Sequence, residues 1–126
     1  IFRTDAVSPG DTVSVYLRGD EAKFFFGFDG SDGYRIRHNT NFNQPEFARF
    51  DNGSFGSELD TVNVSISGNE WYHYVIEYNV GNMNIEVTET NGNVLGTMSS
   101  NDSTYSNTGF GFRLVNGTFA DLVEIS

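Results

Sequence analysis

The sequence predicts an all-β chain folded as a two-sheet antiparallel sandwich. Apolar and polar residues alternate through most of residues 71 to 126, the period that puts one side of a strand in a core. Asn-Gly and Gly-Asn dipeptides fall between these runs and supply the positive φ of a tight hairpin turn. No segment carries a helical period of useful length. Short strands separated by regular turns belong to antiparallel sandwiches. At 126 residues the chain makes one domain, 1–126, large enough to bury a two-layer core.

The strands are expected over 1–4, 11–18, 22–29, 33–39, 46–51, 58–67, 71–80, 83–90, 93–99, 108–115 and 118–125. Pro9-Gly10 precedes 11–18, where Val13, Val15 and Leu17 point inward and Ser14, Tyr16 and Arg18 outward. Gly19-Asp20 turns into 22–29, with Phe24, Phe26 and Phe28 inside and Phe25, Gly27 and Asp29 opposite. After Asp29-Gly30, Tyr34 and Ile36 point in, and Arg35 and Arg37 point out. Residues 39 to 57 are the least regular and are expected to form a long loop or edge carrying one short strand. Asn52-Gly53 and Gly68-Asn69 flank the next segment. In 71–80, Tyr72, Tyr74, Ile76 and Tyr78 point in, while Trp71, His73, Val75 and Glu77 point out. Gly81-Asn82 and Asn91-Gly92 bound the following hairpins. In 108–115, Phe110, Phe112 and Leu114 point in, and Gly109, Gly111 and Arg113 out. Asn116-Gly117 leads into the last strand. A one-residue slip or a bulge reverses any of these faces.

Composition narrows the function classes. Twelve Phe, six Tyr and one Trp suit pleated sheets and fill the core. Seventeen acids against seven bases give a net charge of -10, which disfavours nucleic acid. Solubility is the plain reading of that charge. Abundant Asn and Ser, with Lys23 the only lysine, also fit a protein of high salt. No apolar run reaches the length that spans a bilayer, so membrane insertion is not expected. Without cysteine there is no disulfide framework and no thiolate metal site. The abrupt start at Ile1-Phe2-Arg3, with no signal peptide, suggests a trimmed or mature product. Asn52, Asn63, Asn101 and Asn116 open N-x-S/T sequons, candidate glycosylation sites of an exported protein.

The outward set gathers four of the seven basic residues (Arg18, Arg35, Arg37, Arg113) with His73, Tyr16, Phe25 and Trp71. Read as one face, it suits a sugar. Aromatic rings stack on sugar rings, and Arg, His, Asp and Glu bond hydroxyls. A partly apolar surface with convergent polar groups is the usual form of a ligand site. The competing reading pairs these arginines with Asp29, Glu77 or other acids on a solvated sheet face.

The run from Trp71 to Ser126 resembles the end of concanavalin A-like, laminin G-like lectin/glucanase domains, most closely those of exported halophilic archaeal and archaeal-virus proteins. The marks are WYHYVIEY, GNVLGT, NDSTY, GFGFR and FADLVEI, with VSVYLR and FFFGFDGSDGYRIR fitting more loosely. The resemblance implies a two-sheet jelly roll whose concave sheet often holds a glycan. Such domains are usually longer, with an N-terminal strand beside the last one. Here that strand is absent or supplied by residues 1 to 4. Related sandwiches often hold a structural calcium where the first and last strands meet, and Asp121 is the one residue that carries over.

Glucanases of this fold carry E-x-D-x-x-E on a strand, because hydrolysis needs two carboxylates flanking one bond. Here Glu58-Leu-Asp60-Thr-Val ends in Asn63, so the acid/base partner is missing and no enzyme is expected. Asp29-Gly-Ser-Asp32 lacks the rest of a calcium loop and reads as a hairpin turn. His38 and His73 are too few for a histidine metal centre.

The expectation is therefore a non-catalytic, lectin-like, carbohydrate-binding jelly roll, extracellular or on a cell or virion surface. Its glycan residues are expected to be Tyr16, Arg37, Trp71, His73, Glu77 and Arg113. The alternatives are a structural or adhesive subunit that assembles with copies or neighbouring domains, and a degenerate glycoside hydrolase.

Overall fold

The computed structural model of the protein describes residues 2–3, 7–40 and 44–126. Among these, eleven strands follow one another: β1 (Phe2–Arg3), β2 (Thr12–Arg18), β3 (Ala22–Phe26), β4 (Gly33–His38), β5 (Glu46–Asp51), β6 (Ser54–Thr61), β7 (Trp71–Glu77), β8 (Met83–Glu89), β9 (Val94–Ser100), β10 (Phe110–Arg113) and β11 (Phe119–Ile125). They form a six-stranded sheet, β1-β10-β3-β4-β5-β6, and a five-stranded sheet, β11-β2-β7-β8-β9. Every described strand pair is antiparallel. The chain is an all-β antiparallel sandwich, as its alternation predicts.

The inward parity fills the space between the sheets. Val13, Val15, Leu17, Phe24, Phe26, Ile36, Phe47, Ile76 and Ile85 are fully buried there. Tyr34, Tyr74 and Tyr78 join them, and each hydroxyl finds a partner, as a buried phenol must. Tyr34 donates to Asp102 at 2.8 Å, Tyr78 donates to the Asn107 carbonyl at 2.7 Å, and Tyr74 meets His38 Nδ1 at 2.6 Å.

Four expectations need correction. Phe28 is not in the core. Gly27 takes φ 52° and ends β3 at Phe26, so the alternation stops and Phe28 packs on outward-facing Phe25 with centroids 4.7 Å apart. Leu114 is exposed because β10 ends at Arg113. The segment after β5 is not a loop: Asn52 and Gly53 take φ 53° and 77°, the two positive values of a tight hairpin turn, and β6 begins at Ser54. Finally, Phe2–Arg3 pairs with β10, whereas the last strand pairs with β2.

Candidate functional site

The register lays out the outer face of the six-stranded sheet in rows, because cross-strand partners share a face. One row runs Arg113, Lys23, Arg37, Glu46, Thr61. The next runs Gly111, Phe25, Arg35, Ala48, Glu58. A third holds Gly33, Phe50 and Phe55. Four cations and several phenylalanines thus occupy one side of one sheet.

These groups are closely organised. Arg35, only 5% exposed along its side chain, pairs with Glu46. Its guanidinium carbon lies 5.1 Å from the Phe50 ring centroid and 5.6 Å from that of Phe55. Phe50 meets Phe25 edge-on at 5.0 Å. Phe55 is 53% exposed, so its ring offers an apolar platform with a cation against it. Arg37 Nε stands 3.0 Å from Glu21, whose other carboxylate oxygen lies 3.8 Å from Lys23. Burial, and next the Arg35 guanidinium, push the Lys23 ammonium below its ordinary value, while Glu21 pulls the other way.

The outer face of the five-stranded sheet lies on the opposite side of the sandwich. Its rows include Phe119, Arg18, Trp71 and then Asp121, Tyr16, His73, Thr88. Trp71 packs against Phe119 at 6.3 Å, and Arg18 lies over the Phe119 ring at 5.9 Å. Tyr16 stacks on His73 at 4.4 Å, and Ser14 Oγ meets His73 Nε2. Burial holds the His73 imidazole below its ordinary value. A pocket of about 310 Å³ opens at one end, lined by Glu70, Trp71, Glu89, Thr90 and Asn91.

The six expected glycan residues therefore do not form one site. Arg37 and Arg113 belong to the six-stranded face, and Tyr16, Trp71, His73 and Glu77 to the five-stranded one. All six point outward, as their parity requires, but a sandwich has two outer faces and two layers of side chains lie between them. Sequence reasoning missed Glu46, Phe50 and Phe55. The signal that could have found them is the alternation of Glu46, Ala48 and Phe50 running into the Asn52-Gly53 hairpin.

The other candidates fall as follows. A bulge sets Phe47 opposite Asp60 and Ala48 opposite Glu58, so Glu58 lies on the outer face. Asp60 turns to the sandwich edge and accepts from Ser99 N at 2.8 Å. The two carboxylates do not flank a common space. Asp29 accepts from Ser31 N and Asp32 N at 2.9 and 2.8 Å, the bonds of a tight turn, and these hold its carboxyl below the ordinary range. Asp121 sits opposite Tyr16, and no group of three or more His, Asp and Glu that could hold a metal occurs among the described residues. Asn52, Asn63, Asn101 and Asn116 are all exposed.

No family model and no curated protein sequence matches the chain. Its shape matches solved structures along almost its whole length. The carbohydrate-binding module CBM66 from Bacillus subtilis aligns at a TM-score of 0.75 and 20% identity, over 98% of this chain and 78% of that one. Chicken galectin 2 aligns at 0.69 and 10% identity, over 99% and 95%. A toad ovary galectin, solved with thio-digalactose, aligns at 0.63 and 14% identity, over 100% and 96%. The fold is a jelly-roll β-sandwich. At such identities the likeness speaks for the fold alone.

Proposed function

We propose that this chain is a non-catalytic, lectin-like domain that binds a glycan on the outer face of its six-stranded sheet. The observation that carries this reading is the Arg35 cluster. A nearly buried guanidinium is held by Glu46 and by Phe50 and Phe55, with the Phe55 ring open to solvent. A sugar ring stacks on Phe55 through its apolar C–H face. Glu46 and Arg37, two rows along the same face, supply an acceptor and donors for hydroxyls. Solved carbohydrate-binding modules and galectins of the same shape support the class of ligand. The exposed sequon asparagines and the acidic composition support an exported protein of a salty environment.

A second reading rests on the Trp71 pocket of the opposite face, where a tryptophan is flanked by Glu70, Glu89 and Asn91. One experiment separates the two: glycan-array binding of the wild-type chain, Phe55→Ala and Trp71→Ala. The six-stranded site requires loss in Phe55→Ala and retention in Trp71→Ala. The reverse pattern moves the site to the five-stranded face. No binding by the wild-type chain removes both readings.

A further inference from the structure

The cations of the six-stranded face stand where neighbouring charges repel. Arg113 is the cross-strand partner of Lys23, and Lys23 is the partner of Arg37. Like charges directly opposite one another on a sheet are destabilising. Glu21 bridges Lys23 and Arg37, and Glu46 reaches Arg35 and Arg37. Arg113 is exposed and has no ion pair among the described residues. The Nε of Arg35 is buried without a hydrogen-bond partner.

The contrast with the other face is sharp. The five-stranded face carries Arg18 against Glu77, Glu86, Asp121 and Glu124. In a chain of net charge -10, four of the seven basic residues thus stand on one side, against Glu21, Glu46 and Glu58. Such a local concentration of cations attracts an anion.

We propose that the six-stranded face takes an anionic saccharide, a glycan bearing carboxylate or sulfate groups, with one anionic group seated between Arg113 and Lys23. This rests on the glycan reading given above and names the class of glycan. The Arg113–Lys23 pair lies on β10 and β3, and Phe55 lies on β6 at the far edge of the sheet. Four strand spacings of about 4.8 Å separate β10 from β6, roughly 19 Å in all. The ligand is therefore an oligosaccharide that crosses the strands, with one unit stacked on Phe55 and an anionic unit at Arg113. Guanidinium donors in a planar fork suit both carboxylate and sulfate.

The test is isothermal titration at roughly physiological ionic strength with three probes of matched length: an oligogalacturonate, a sulfated dextran fragment and unmodified dextran. At least one anionic probe should bind about tenfold or more tightly than the neutral one. Arg113→Gln should remove about that factor for the anionic probe. Arg18→Gln, on the opposite face, should leave every affinity as it was. The two anionic probes tell carboxylate from sulfate. Equal binding of neutral and anionic probes, or an Arg113→Gln variant that binds the anionic probe like wild type, overturns the anionic assignment and leaves the glycan reading standing. Binding of none of the probes, together with a blank glycan array, overturns both.

Discussion

Acidification from about pH 7.5 to about pH 4.5 should weaken this fold chiefly through His38. Its side chain points between the sheets and is fully buried. Nδ1 meets Tyr74 Oη at 2.6 Å, the ring lies against Tyr72 at 4.9 Å, and Nε2 has no hydrogen-bond partner. Burial therefore dominates and pushes the imidazole down from 6.5 to about 4, against weaker support for the cation from the Ser67 backbone and Asp20. The unfolded chain takes up a proton at this position below about pH 6.5, and the folded chain does not until about pH 4. Stability is thus fully present above the higher value and falls steadily between the two. At about 1.4 kcal/mol for each pH unit, the loss reaches about 2 kcal/mol near pH 5 and roughly 3 kcal/mol near pH 4. The lowered carboxyls of Asp29, Asp51 and Asp102 act at lower pH, below the ordinary carboxylate value, so the window belongs to histidine. His73 is lowered in the same direction and is removed as a variable by working in a His73→Gln background. Urea unfolding across this range, with and without His38→Gln, gives the comparison. The readout is the slope of stability against pH, which is insensitive to any fixed loss from the substitution. Equal slopes in the two proteins would refute the reasoning.

Two further substitutions test the packing. Glu46→Ala leaves the nearly buried Arg35 guanidinium without its carboxylate and should cost about 3 kcal/mol in urea unfolding, most of it recovered by adding Arg35→Met. A loss below about 1 kcal/mol would mean that the phenylalanines alone accommodate the cation. Gly27→Ala places a Cβ against the Tyr78 hydroxyl and ring, at a φ of 52° that L-residues disfavour. It should lower stability by about 2 to 4 kcal/mol, and an unchanged melting temperature would show that Tyr78 can leave the Asn107 carbonyl freely.

The fold was legible because its signals are local. Alternation marks Val13, Val15 and Leu17, or Tyr72, Tyr74 and Ile76, as one side of a strand, and each is buried. The misreadings sit where a local event interrupts the period. Gly27 ends β3 one residue before Phe28 would re-enter the core, and β10 stops at Arg113, one residue before Leu114. The β5–β6 hairpin was hidden for a different reason. Its strands carry Arg49, Asp51, Glu58 and Asp60 among the apolar residues, so neither reads as a clean core strand. Arg49 is accounted for by one local and one long-range partner: it donates to Asp51, two residues on, and to Asp102, fifty-three positions away in the chain.

The site was less legible than the fold, and the reason is geometric. Parity has two values, inward and outward, whereas a sandwich has two outward faces. Assigning Arg37 and Trp71 to different faces requires knowing that β10 pairs with β3 and β2 with β7, and each pairing joins segments far apart in sequence. Local chemistry points the wrong way. An acid such as Glu77 or Asp29 would be the ordinary partner for an outward arginine. Instead Glu77 stands between Thr12 and Asn84, and Asp29 is taken up by the N–H groups of its own turn. A chain with seventeen acids has ample means to neutralise Arg113 from the neighbouring strand. The position beside it on β3 holds the chain's only lysine. On the anionic-glycan reading proposed above, a repulsion placed where so many acids were at hand is the kind of local conflict that belongs to a binding surface, and the anion that relieves it arrives from outside.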